Sequence, residues 1–552
     1  MKQIQIIVAR HRIRATCLVV LASLLFQLSS PGWAQTAAVP RSPLEEMIVE
    51  MFASGMGSLP LPIRQQQAAL KAYYVEGDGK LLWPTPTRMR DFVEALKRAE
   101  QDGLNPSDYP SEHLGRLAGI AGFGDRRSVA QVELYFSAIL LRFSSDLKVG
   151  RFLPTKIDPK LYWQKKTIDP IRALTLFAET SDTRSFISRW QPGIADYATL
   201  KGLLAAYRQI ETTGGWPVVP HVDAIKPGEQ NPAVAAIHAR LERTDDELQG
   251  RRNAASLTYD DLLIRAVKRF QRQHGLEPDG VVGKRTIFAM NIPVSDRIRQ
   301  IVLTMERWRW MPEDLGQSHI RVNIAGYELR HVRDGRVQQR MRVVVGKPYH
   351  QTPIFSDEIE YLEFNPYWNV PHSIAVNEEL PKLKANPAAR AARDFEAVVG
   401  GRGVSLTSID WSRMSRSNFP VRLRQKPGPH NALGRVKFMF PNRFNVYLHD
   451  TPSRSLFTRA QRAFSHGCIR LARPIDLAEK LLANTPAWSR ERIDRVLESG
   501  KRTVVRLPAN LPVHLTYATV WVDGDGEVQF RPDIYQRDTR LDEALSGRYA
   551  RL

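Results

Sequence analysis

Cysteine is nearly absent: 552 residues hold two. Cys17 falls in the N-terminal apolar segment, which leaves Cys468 alone in the body of the chain and excludes an internal disulfide there. That apolar segment, Ala15 to Leu28, runs for 14 residues, short of the ~20 that a stable bilayer span needs. Metal-site spacing is missing as well, since no histidine pair has the HExxH pattern. Gly400-Gly-Arg-Gly403 lacks the Lys-Ser/Thr ending and the preceding strand of a phosphate loop and reads as a turn. Gly 34 and Pro 36 are modest for this length, which rules out a fibrous or wholly disordered chain.

Positive charge, by contrast, is plentiful: Lys+Arg 79 against Asp+Glu 58 gives +21. Basic residues are spread along the whole chain, with no dense tail and no basic recognition helix. The balance therefore points to diffuse attraction toward an anionic partner and away from nucleic-acid reading. Hydrophobic residues at 43% and charged residues at 25% are ordinary globular values. At ~100–200 residues per domain, the length implies three or four domains.

Lys2, Arg10, Arg12 and Arg14 precede the apolar run, and Gly32 and Ala34 satisfy a small-x-small cleavage rule before Gln35. Residues 1–34 read as a secretory signal, either cleaved or retained as an inner-membrane anchor. A lone thiol in an exported protein is a liability unless it is used, so Cys468 is the first candidate for chemistry.

Hydrophobic spacing divides the rest. Residues 42–225 are mostly helical in pattern. A smaller unit follows at 233–293, in which Asp261 to His274 forms an amphipathic helix with Leu262, Ala266, Val267 and Phe270 on one face, capped at Gly275. Residues 294–316 form a connecting helix whose Trp308 and Trp310 serve domain packing. From His319 the period becomes two, with Ile320, Val322 and Ile324, a turn at Asp334–Gly335, then Met341, Val343 and Val345. This β region spans 317–510 and includes an apolar strand from Phe444 to Leu448 that ends at His449. An insertion at 371–429, with helical pieces such as Pro387 to Phe395, has the size of a lid; 511–552 is a strand-like extension. The fold class is multidomain α+β: a mostly α N-terminal domain, a small helical module and a β-rich domain with a partly helical lid insertion.

Two stretches resemble known families. The run AVKRFQRQHGLEPDGVVGKRT, Ala266 to Thr286, resembles the three-helix peptidoglycan-binding domain of cell-wall enzymes. His449, followed about 15 residues later by Ser465-His-Gly-Cys468-Ile-Arg470, resembles the signature of the L,D-transpeptidase catalytic domain. Asn431-Ala-Leu-Gly434, Lys437-Phe-Met-Phe-Pro-Asn442, Val446-Tyr-Leu-His-Asp450 and Glu306-Arg-Trp-Arg-Trp-Met-Pro312 resemble the subfamily with large periplasmic accessory domains. The resemblance implies that the α region is a scaffold domain, the insertion a substrate cap and the thiol a carbapenem target. It also implies a peptidoglycan L,D-transpeptidase in the periplasm that forms 3→3 cross-links through a Cys468 acyl-enzyme, releases D-alanine and needs no cofactor. L,D-carboxypeptidase or D-amino-acid exchange chemistry by the same acyl-enzyme, an acceptor lysine on an outer-membrane lipoprotein and an inactive wall-binding scaffold remain alternatives. Stem peptides and glycan are the expected partners, nucleic acid is not, and the oligomeric state stays open.

The residues carry the chemistry without the family name. A free thiol with a pKa of about 8.5 is mostly unreactive at neutral pH, and an imidazole within reach can take its proton and form an ion pair. His449 is that imidazole, and the resemblance implies the backbone carbonyl of Asp450 as its orienting acceptor. Backbone N–H groups of Gly467 and Cys468 are the natural oxyanion donors, and glycine at 467 permits a sharp turn. His466 either helps activate the thiol or shapes the loop; Arg470 either binds a substrate carboxylate or locks the motif by pairing with an acid. Ser465 makes a local backbone hydrogen bond, and Trp368, near the lid hinge, either lines the cleft or packs.

Overall fold

The computed structural model describes residues 41–548 apart from 56–58, 78, 121–123, 165 and 252–255. The signal expected over 1–34, Cys17 included, lies outside the described residues. None of the described helices is long and apolar enough to cross a membrane.

The N-terminal region is helical from Pro43–Ala53 to Ala195–Thr212. Its axis is the 24-residue helix Arg126–Val149, started by Asp125, whose carboxylate accepts from Ser128 N at 2.8 Å. Trp83 packs its ring 5.0 Å from Phe136 of this helix and 4.8 Å from Phe177. Glu133, buried among these rings, accepts from the Tyr74 hydroxyl at 2.7 Å and from Leu82 N at 2.6 Å. Burial pushes its carboxyl up to about 7.

The small module packs helices Val234–Leu241, Asp261–Gln273 and Lys284–Met290 around Ile237, Tyr259, Phe270 and Ile287. Leu263, not Leu262, completes the buried face with Ala266, Val267 and Phe270, because 263, 266, 267 and 270 follow the i, i+3, i+4, i+7 spacing of one helix face. Ala224–Ile225 pairs with Val282–Gly283, and Val219 and Ile225 join this module's core. The boundary expected at 225 therefore lies earlier.

Helix Val294–Trp310 is buried on all sides from Ile301 onward and binds the units together. Arg309 and Glu306, both without exposure, pair at 2.8 Å, while Arg309 also reaches Leu147 O and the Tyr197 hydroxyl of the helical domain. Glu306 accepts from Arg151 N at 2.6 Å. Trp308 and Trp310 are buried in the same junction. A charged pair survives such burial only because each hydrogen-bonding atom finds a partner.

The β domain has nine strands: β1 His319–Asn323, β2 Glu328–Arg333, β3 Arg336–Gly346, β4 Phe355–Phe364, β5 Val436–Met439, β6 Leu448–His449, β7 Ala463–Ser465, β8 Ile469–Leu471 and β9 Thr503–Thr516. Their order is β7-β3-β8-β6-β5-β4-β9-β1-β2, and β2 pairs back onto β3, so the sheet closes into a barrel. Asp334 and Gly335 both take positive φ, 52° and 71°, as the tight turn between β2 and β3 requires. Alternate residues fill the interior, among them Val322, Val343, Leu362, Phe438, Leu448, Ile469 and Leu515, each worth roughly 1.5–3 kcal/mol of burial.

Three expectations need correction. The strand expected over 444–448 is only Leu448–His449: Asn442 organises a turn by accepting from Phe444 N and Val446 N, and Asn445 takes φ 52°. The helix expected over 387–395 stops at Ala391, and Phe395 opens a strand, Phe395–Val399. The extension expected from 511 begins inside β9, whose residues Val513–Thr516 pair with β1; Pro508 and Pro512 mask this strand by removing ladder donors beside a register shift. It closes with helix Arg537–Glu543. The lid carries its own core, with Leu380, Leu383, Phe395, Trp411 and Leu423, and a small sheet in which Trp368–Asn369 pairs with Arg424–Gln425.

Candidate active site

Register in the barrel wall lines up the functional side chains. Lys437 of β5 stands opposite His449 of β6, and His449 opposite Arg470 of β8, so the three share a row on one face. Glu363 of β4 continues that row beside Lys437. One step along, the same β6–β8 register sets Tyr447 beside Cys468. The intervening residues Phe438, Leu448 and Ile469 face the core, fully buried, which fixes which side the polar row must occupy.

His449 is 4% exposed, and its Nδ1 lies 2.5 Å from the Asp450 carbonyl oxygen. A carbonyl only accepts, so Nδ1 carries the proton and in the neutral ring Nε2 carries the lone pair. Burial, aided by the cations Arg470 and Lys437, lowers the imidazole to about 3, against the opposing pull of the Asp450 carbonyl. The Asp450 carboxylate accepts from Arg435 N at 2.9 Å and from Arg454 at 3.2 Å, so that the carbonyl beside it is held in place. Gly434 permits this approach: φ is 63°, and a Cβ would stand 2.4 Å from the Asp450 carboxylate oxygen.

Cys468 is partly exposed. Its thiol donates to Asn445 O at 3.6 Å, and no hydrogen bond joins it to His449 in this geometry. Burial raises the thiol above its usual value, while hydrogen bonds from Tyr447 and the charges of Lys437 and Arg470 pull the other way. Burial thus opposes the expected ion pair at both ends, raising the thiol and lowering the imidazole.

Ser465 holds the loop: its hydroxyl donates to Cys468 O at 2.5 Å and accepts from Gly467 N at 3.1 Å. Gly467, at φ 116°, therefore spends its N–H internally and is not a free oxyanion donor in this state, whereas Cys468 N–H makes no hydrogen bond among the described residues. From beneath, Thr352 donates to Gly467 O at 2.8 Å. His466 makes no hydrogen bond to the thiol among the described residues: its Nε2 lies 2.5 Å from Glu378 Oε1 on the lid and its ring 4.7 Å from that of His350. Arg470 pairs with no acid among the described residues, and its buried Nε has no hydrogen-bond partner, against the locking role. Trp368 packs edge-on against Phe395 at 6.0 Å in the lid core.

Sequence reading missed Tyr447 and Lys437. The Tyr447 hydroxyl is near enough to the thiol to lower its proton affinity, and its ring lies 4.3 Å below Lys437 Nζ and 5.7 Å from His449. Its spacing of two from His449 was the available signal. The helical domain also reaches the site: Tyr162 N donates to Ile354 O at 2.8 Å, and the Tyr162 ring packs 4.3 Å from Phe444. No group of three or more His, Cys, Asp or Glu among the described residues is placed to hold a metal.

A barrel wall that presents a histidine–cysteine pair under a separate lid matches what the comparisons find. Residues 317–489 match the L,D-transpeptidase catalytic domain, 68–204 the scaffold domain and 230–290 the "putative peptidoglycan binding domain". The chain carries an L,D-transpeptidase catalytic domain together with these two accessory domains. Among individual proteins it is 35% identical over 259 residues to a "Putative L,D-transpeptidase" of Haemophilus influenzae, over 46% of this chain and 52% of that one. The match thus spans about half the length of that relative. Two solved structures align weakly, both with a TM-score of 0.18. One is an L,D-transpeptidase (residues 123–326) from Xylanimonas cellulosilytica, at 17% identity over 54% of this chain and 99% of that one. The other is the Ldtfm-avibactam carbamoyl enzyme, at 12% identity over 38% and 51%.

Proposed function

We propose that the protein is a peptidoglycan L,D-transpeptidase acting in the periplasm through a Cys468 acyl-enzyme. The observation that carries the reading is the aligned pair of rows: Lys437, His449 and Arg470 in one, Tyr447 and Cys468 in the next, with His449 Nδ1 fixed on the Asp450 carbonyl. In this reading the thiol rotates from Asn445 O toward Nε2 of His449. Sulfur attacks the carbonyl of the third residue of a tetrapeptide stem, Nε2 takes the thiol proton, and the tetrahedral oxyanion meets Cys468 N–H and the Tyr447 hydroxyl. The leaving D-alanine amine takes that proton back from Nε2. The unpaired Arg470 suits a stem carboxylate. A second stem's side-chain amine then captures the acyl group, giving a 3→3 cross-link. One amide is exchanged for another, so no external energy source is needed.

Intact-protein mass spectrometry of the chain mixed with disaccharide-tetrapeptide tests this, beside Cys468→Ala. An adduct of the donor minus D-alanine, absent from the variant, with cross-linked dimers in solution, is the expected result. Tripeptide without dimers would make the enzyme a carboxypeptidase. No adduct from a folded sample that also ignores a carbapenem would overturn the enzymatic reading in favour of a wall-binding scaffold.

A further inference from the structure

The lid presents one carboxylate to the catalytic motif, and its surroundings are unusual. Glu378 lies in the π-helical turn Ala375–Glu379, whose Ala375, Val376 and Glu379 are buried in the lid. The neighbouring lid acids are neutralised: Glu379 pairs with Arg390 and Lys382, and Glu396 with Arg424 and Lys426. Glu378 pairs with no lysine or arginine among the described residues. Its Oε1 accepts from His466 Nε2 at 2.5 Å, its side chain is 42% exposed, and its Oε2 has no hydrogen-bond partner among the described residues. The charges nearest the thiol are cationic, Lys437 and Arg470, while Glu363 beside Lys437 is engaged by Arg502; Lys347 and Lys160 lie beyond His350.

We infer that Glu378 is the acceptor-selecting residue of the cleft: its carboxylate, anchored through Oε1 on His466, holds the incoming ammonium of the acceptor beside the acyl-enzyme. This inference rests on the transpeptidase reading above and assigns the amine side of it. A primary amine enters as R–NH3+, which Lys437 and Arg470 repel, and a carboxylate with no lysine or arginine partner among the described residues gives it a place to dock. The exchange balances as thioester plus R–NH3+ giving amide, thiol and one released proton. The C–N bond forms and the C–S bond breaks; of the two protons the nitrogen sheds, one returns to sulfur through His449 and the other goes to solvent. Water, being neutral, gains nothing from Glu378, so the same carboxylate biases the acyl-enzyme away from hydrolysis.

The test compares two nucleophiles on the full chain preloaded with disaccharide-tetrapeptide: the cationic amine of disaccharide-tripeptide and neutral hydroxylamine. In Glu378→Gln, which keeps an acceptor for His466 Nε2 and removes the charge, the amine KM is expected to rise about fivefold to tenfold while the hydroxylamine KM does not follow. Glu378→Asp should restore part of the preference. On the unmodified enzyme, raising salt should increase the amine KM and spare hydroxylamine, a readout that needs no variant. Equal effects on both nucleophiles, or a salt-independent amine KM, would reduce Glu378 to a lid contact and overturn the inference. If the unmodified chain forms no adduct with the donor, the transpeptidase reading itself has failed and the inference falls with it; adduct formation without amine preference refutes the inference alone.

Discussion

Tyr447→Phe is the most informative single substitution at this site. It removes one oxygen and little else, because Lys437 Nζ, 4.3 Å above the ring, and the edge-on His449 ring still hold the aromatic body. What is lost is the hydroxyl that contacts the thiol and lowers its proton affinity, in a place where burial pushes that affinity up. A hydrogen bond to a charged partner is worth ~1.5–3 kcal/mol, so the acylation rate should fall by roughly 10- to 100-fold. The larger figure applies if the hydroxyl also meets the oxyanion. The rate is read by quenching the reaction with disaccharide-tetrapeptide and weighing the adduct against time. Iodoacetamide reactivity of Cys468 at fixed pH should fall as well, since a smaller fraction is thiolate. A variant that acylates within threefold of the parent, with unshifted thiol reactivity, would refute the role assigned to Tyr447 and leave Cys468 N–H as the single donor.

Further outcomes follow from the same geometry. With the thiol raised and His449 lowered to about 3, iodoacetamide reactivity should climb through pH 9 without a plateau near neutrality; a plateau between about pH 5 and 7 would restore the ion pair. The helical domain holds Glu133, raised to about 7, and Asp146, raised to about 6, both by burial. Raised carboxyls bind more protons folded than unfolded, so stability should be highest near pH 5 and fall as pH rises toward 7, by on the order of 3 kcal/mol for Glu133. Thermal unfolding at pH 5 and 7.5 checks this, and a Glu133→Gln chain with an undiminished pH slope would contradict it. Trp368→Ala loosens the packing on Phe395 at the lid hinge and should raise tripeptide severalfold relative to cross-linked dimer; an unchanged product ratio would dissociate the lid from water exclusion.

Much of this was legible in the sequence where one residue type allows few roles. A single thiol inside Ser465-His-Gly-Cys468, a period of two around Ile320 and Val343, and a helical period around Phe270 each specify their surroundings strongly. What stayed hidden depends on register. Lys437, His449 and Arg470 are separated by 12 and 21 positions in the chain and meet only because β5, β6 and β8 are neighbours. Tyr447 reads as one more apolar strand residue until its opposite number is known to be Cys468. Burial of the thiol and of His449 was equally invisible, since it is a property of the fold, and it opposes the ion pair that composition alone favours. Pro508 and Pro512 concealed a long strand, and Asn442 delayed the start of another through side-chain hydrogen bonds that the apolar pattern does not record.

The hinge of the lid has a consequence for how such a protein can be built. Asn369 and Arg424 are paired across the small sheet, so the chain leaves the barrel and returns to it at points about 5 Å apart. Fifty-odd residues between them, with a core of their own, hang from one doorway. A two-residue turn would bridge that doorway without moving β4 or β5. The lid is therefore a cassette: it can be lengthened, exchanged or dropped in one genetic event while the barrel that aligns the reactive side chains keeps its register.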